Sequence, residues 1–74
     1  MKTVMLSAVL NPEDSGYVAL CPELDIASQG DSVEEALSNL KEAVEGFFEV
    51  ASSQEIQQKL KKPSLLTHFE AVCA

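Results

Sequence analysis

Seventy-four residues make one domain, and a chain this short buries only about 60% of the surface its unfolded form exposes, so its core is small. Hydrophobic content of 46% without a low-complexity tract argues against disorder, and no apolar run approaches the ~20 residues of a membrane span. Five Lys and Arg against twelve Asp and Glu give a net charge of -7, which repels phosphate and favours a basic protein over DNA or RNA as partner.

The amino terminus carries no basic region followed by an apolar stretch and a cleavage site, so a cytoplasmic protein is expected. Lys2 to Leu10 reads as a first strand. Alternation puts Val4, Leu6, Ala8 and Leu10 on its drier face and Thr3, Met5, Ser7 and Val9 on the other. Asn11 to Gly16 has loop chemistry for a hairpin a little longer than the tightest kind. Tyr17 to Cys21 is a second strand, closed by Pro22, which has no amide proton for a ladder. Pro22 to Asp25 forms a bend, Ile26 to Gln29 a third strand, and Gly30 a sharp turn into a helix.

That helix separates its faces cleanly. At 100° per residue, the apolar positions from Val33 through Leu37, Leu40, Val44 and Phe47 to Ala51 share an arc of roughly 160°. Glu34, Glu42, Glu45 and Glu49 lie on the wet side. Leu40 and Phe47 are therefore expected to face the sheet as core. Ser32 and Glu35 form a capping pattern at the start, and the acids of the first turn suit the positive end of the helix dipole. The phase breaks after Ala51. A second short helix follows from Ser52 to Lys62, with Ser52 and Glu55 repeating the capping pattern and Pro63 closing it. Leu65 to Val72 then alternates Leu66, His68, Glu70 and Val72 with Leu65, Thr67, Phe69 and Ala71, which predicts a returning edge strand. The expected fold is α+β: a three-stranded antiparallel meander, one main helix on one face, a short second helix and a last edge strand.

Little here carries chemistry. His68 has no second histidine or cysteine at metal-ligand spacing and reads as a solvent-facing strand residue. Cys21 and Cys73 read as free thiols, Cys21 in the core. A two-metal nuclease site needs carboxylates converging from a rigid sheet, yet Thr3 to Leu10 contains no acid. Gly16 and Gly30 read as turn glycines too far apart to cradle a phosphate, and no nucleotide-binding or hydrolase motif is present. No catalytic residue, metal or cofactor is expected.

The run Gly16-Tyr17-Val18-Ala19-Leu20-Cys21-Pro22-Glu23-Leu24, followed by Ser28-Gln29-Gly30-Asp31-Ser32-Val33-Glu34-Glu35-Ala36-Leu37-Ser38-Asn39-Leu40-Lys41-Glu42-Ala43, resembles the HicB family. That family comprises the antitoxins of HicAB toxin-antitoxin pairs and many short solitary relatives. The resemblance implies a partial ribonuclease H-like fold in a single HicB-like domain over 1-74. It also implies a non-catalytic interaction module that covers a small basic HicA-type toxin, with partner contacts at Glu23, Asp25 and Gln29.

Two departures bear on that implication. Where many members continue into Pro-Gly-Cys, this chain reads Asp25-Ile26-Ala27, closer to the short solitary members, and with 74 residues the family's DNA-binding domain is not expected. A solitary protein without a toxin, or a small enzyme or ligand-binding protein, remains the alternative. A homodimer is also expected, because one helix covers one sheet face and leaves Met5 and Val9 bare. Its contact should avoid the glutamate stripe and strengthen slightly with salt.

Overall fold

The computed structural model describes residues 3-61 and 65-74. Three strands, β1 (Val9–Glu13), β2 (Gly16–Cys21) and β3 (Ile26–Gly30), are followed by helices α1 (Val33–Val50) and α2 (Ser53–Leu60). The sheet is antiparallel in the order β1-β2-β3, and α1 lies chiefly over β3 and β2, giving the expected α+β meander with one helix-covered face.

Register decides which side chains meet the helix. Leu10 and Ser28 flank Ala19, and Ile26 pairs with Cys21, so these positions share the covered face. Ala19, Cys21 and Leu24 then join Ala36, Leu40 and Val44 of α1 in one buried cluster. Leu6, Ala8 and Leu10 of the expected drier face pack against its margin, whereas Val4, expected on the same face, is exposed. Leu40 is 4% exposed and at the centre of the core, whereas Phe47 is half-buried at its edge, tilted against Phe48 with ring centroids 5.9 Å apart. The other sheet face carries Val9, Val18, Leu20 and Ala27, and among the described residues no helix lies upon it.

Both helix starts follow the sequence reading. The Ser32 hydroxyl accepts from the Glu35 amide at 3.0 Å, which satisfies one first-turn donor, and Glu35 Oε1 accepts from the amide of Asp31, the residue before the cap, at 2.9 Å. Ser52 caps α2 the same way, accepting from the Glu55 amide at 3.1 Å. Lys62 and Pro63, expected to end α2, lie outside the described residues.

Three expectations are corrected. First, β1 begins at Val9 and runs through Asn11, Pro12 and Glu13, residues read as loop, so the turn is only Asp14-Ser15 with Glu13 opposite Gly16. Asp14 enables the tight reversal by taking a positive φ of 51°, and an edge strand tolerates the missing amide of Pro12. With that register, residues before Ala8 fall opposite Pro22 and the bend, where no ladder partner exists; they form no strand. Secondly, Gly30 has no positive φ; its lack of a side chain serves close packing. A Cβ there would lie 2.5 Å from the Ala36 nitrogen, so the first turn of α1 sits directly on the end of β3. Thirdly, Leu65 to Val72 is not a strand of this sheet. The alternation is present, but a strand needs a hydrogen-bonding neighbour, and among the described residues none pairs with it.

Candidate functional site

The three residues expected to contact a partner do not form one surface. Glu23 and Asp25 stand on the four-residue bend between β2 and β3, while Gln29 sits near the far end of β3, about 13 Å from Asp25 at ~3.3 Å per strand residue. Gln29 is also on the uncovered face, opposite Val18.

Glu23 is a structural clamp. Both its carboxylate oxygens accept from the Ser7 amide at 3.1 Å, and Oε1 also receives the Cys21 thiol at 3.5 Å. The incoming chain segment is thereby tied to the bend across 16 positions of sequence. Burial works to raise the Glu23 pKa, but hydrogen bonds from Ser7 and from its own amide outweigh it and hold it below the usual glutamate range. Burial pushes the Cys21 thiol up, and the neighbouring Glu23 charge pushes it further, so Cys21 is held as an unreactive thiol within the core. Cys73 is exposed, and both cysteines are free.

Asp25 is exposed with a positive φ of 55°, a conformation that aspartate tolerates better than most residues. Its neighbour Leu24 is buried, and the Leu24 carbonyl accepts from Lys59 Nζ at 3.2 Å, which holds α2 to the same bend. Lys59 Nζ also lies 5.9 Å from the centre of the Phe47 ring. Asn39 Nδ2 donates to the Gln29 carbonyl at 2.8 Å and locks β3 to α1. Periodicity has no signal for these clamps, since each joins residues on different elements.

Gly16 and Gly30, read as far apart, are in contact: a Cβ on Gly16 would lie 2.5 Å from the Gly30 carbonyl oxygen. Tyr17 pairs with Gly30 in the ladder, which brings the hairpin and the helix start together. An open hollow of about 340 Å³ lies there, lined by Glu13, Asp14, Asp31 and Glu35 among others. Its carboxylates make it hostile to phosphate, so proximity of the glycines still builds no anion cradle. Among the described residues, no three His, Cys, Asp or Glu side chains are placed to hold a metal ion, and no helix is long and apolar enough to cross a membrane.

Two surface features of the folded block remain, the wet face of α1, where Glu34, Glu42, Glu45 and Glu49 are all exposed, and the uncovered sheet face. They lie on opposite sides of the molecule, because α1 itself fills the covered face. No family model matches the chain, and no solved structure does. Among curated proteins, a UPF0150 protein of Helicobacter pylori is 36% identical over 72 residues, covering 96% of this chain and 100% of that relative. Two UPF0150 proteins of Synechocystis are similar over shorter spans. One is 41% identical over 66% of this chain and 69% of its own, and the other 48% identical over 64% and 57%. With the Helicobacter relative aligned along almost all of both chains, this protein belongs to the UPF0150 family.

Proposed function

We propose that this chain is a non-catalytic interaction module resembling the toxin-neutralising domain of HicB, and that it binds a small basic protein such as a HicA-type toxin. The observation that carries the reading is the exposed row Glu34, Glu42, Glu45 and Glu49 along α1, within a chain of net charge -7. These carboxylates stand in water on a rigid helix, so they steer and orient a cationic partner at little desolvation cost. Glu23, Asp25 and Gln29 are too dispersed to act together. Glu23 is already committed to Ser7, which leaves Asp25 and Gln29 as contacts of separate edges of the footprint.

The test starts from the reading frames adjacent to this one. A small basic protein encoded there should bind the purified chain in calorimetry, with affinity that falls steeply with salt. The charge reversal of Glu42, Glu45 and Glu49 to Lys should weaken binding at least tenfold. Absence of binding to that neighbour, or binding indifferent to the reversal, would remove this reading. The chain itself should leave RNA, DNA and their hybrid intact with magnesium or manganese; cleavage abolished by Glu23→Ala or Asp25→Ala would contradict the non-catalytic assignment.

One observation favours the solitary alternative: this chain matches the Helicobacter relative along that protein's whole length, so a protein of this domain alone exists. In that case no adjacent basic frame is found.

A further inference from the structure

Two stretches of the chain are strand-like in sequence and have no strand partner among the described residues. Thr3 to Ala8 continues β1 past its last ladder pair, Val9 with Leu20, and β1 is an edge of the sheet. Leu65 to Val72 alternates as a strand would, yet Leu65 is 90%, Phe69 88% and Val72 102% exposed. So many large apolar side chains in water within eight positions mark a contact surface.

The chain's dimensions show that the carboxyl-terminal stretch is not folded back. Its radius of gyration is 14.4 Å and its extents are 48 × 28 × 16 Å, whereas a closed domain of this length has a radius of about 11 Å. The charges indicate what would meet it. Thr3 to Leu10 carries no charge, and Leu65 to Ala74 carries only Glu70, in a chain of net charge -7. A basic partner would be drawn to the acidic helix; a second copy, equally acidic, is accommodated only where charge is missing. Lengths also match, since Thr3 to Leu10 and Leu65 to Val72 are eight residues each, about 26 Å when extended.

We propose that Leu65 to Val72 is an exchanged strand: it pairs with the β1 edge of a second copy, over Thr3 to Leu10, while that copy's segment pairs with this one. The exchange is reciprocal about a two-fold axis, so a single arrangement closes both edges. Leu65 and Phe69 then lie beside Leu6 and Leu10 on the covered face, which α1 shields mainly over β2 and β3. Leu66 and Val72 fall beside Met5 and Val9 on the other face, with His68 and Glu70 left towards water. This dimer does not depend on the toxin reading, because it leaves the glutamates of α1 free.

Sedimentation of the full chain at micromolar concentration should show a dimer, slightly tighter at high salt as the mutual repulsion is screened over a Debye length of ~8 Å or less. Phe69→Glu should raise the dissociation constant at least tenfold and leave the far-ultraviolet circular dichroism unchanged, since Phe69 is 88% exposed in its own chain. A spin label on the exposed Cys73 of unlabelled chains, mixed with nitrogen-15-labelled wild-type chains, should broaden the amides of Thr3 to Leu10. That mixed sample separates exchange from closure within one chain. A wild-type monomer, a dimer indifferent to Phe69→Glu, or no broadening in the mixture would overturn the proposal.

Discussion

The two arms, Thr3–Ala8 and Leu65–Ala74, are at least as apolar as the block of β2, β3 and α1, yet apart from Leu6 and Ala8, which pack at the core margin, they stand largely in water. In the block every large apolar residue near the centre finds a partner across an interface: Cys21 and Leu24 are 1% exposed, and Ala36 presses onto Gly30. In the arms Met5 is 96% and Phe69 88% exposed. Hydrophobicity alone therefore does not bury a residue in this chain. What decides it is whether a second element of the same chain reaches the same place, and α1 reaches β2 and β3 but does little for β1.

The sharpest way to break this comparison is by truncation on both sides of it. Leu40→Ala should destabilise the fold by ~2 to 5 kcal/mol, a large share of the ~5 to 15 kcal/mol typical of a domain. Leu65→Ala should change unfolding of the isolated chain, at concentrations too low for association, by less than ~0.5 kcal/mol. Urea denaturation of both variants measures the contrast, and equal effects would mean the arm is packed in the folded chain.

Glycines sharpen it at the next level. At Gly30 an added Cβ meets the Ala36 nitrogen at 2.5 Å and the Glu35 carbonyl carbon at 2.8 Å, both main-chain atoms that cannot swing aside. Gly30→Ala should cost about 1 to 3 kcal/mol. At Gly46 a Cβ meets nothing within 4 Å, so Gly46→Ala should gain ~1 kcal/mol from helix propensity. Opposite signs in thermal melts are the expected outcome.

The smallest expected effect tests the joint between arm and block. Glu23 titrates lower in the folded chain than in the unfolded one, so its contribution is fully present above the unfolded pKa and lost as pH falls through the folded value. Wild-type stability should therefore drop more steeply than that of Glu23→Gln as pH falls below the ordinary glutamate range. Parallel pH profiles would show that the Ser7 contact adds nothing to folding.

Much of this was legible in the sequence. The caps at Ser32 and Ser52, the order of the three strands, the centre of the apolar arc of α1 at Ala36, Leu40 and Val44, and the drier positions Leu6, Ala8 and Leu10 are local or periodic signals that the structure has. Val33, Leu37 and Val50 at the margins of the arc, and Val4, are exposed instead. Of the candidate partner residues, Asp25 and Gln29 are exposed, on separate parts of the fold. Periodicity does not tell that Glu23 is occupied by Ser7, because that pairing depends on the register of β1 against β2.

By itself, then, the sequence determined the elements whose stabilising partners lie within a turn of helix or along one strand. Tertiary structure alone decided where β1 begins, why Gly16 and Gly30 touch, and that Leu65–Val72 has no strand neighbour among the described residues. The physical reason is the same in each case. Alternation shows that a segment is able to be a strand, but hydrogen bonds to an adjacent backbone make it one, and whether a backbone is there depends on residues far away along the chain.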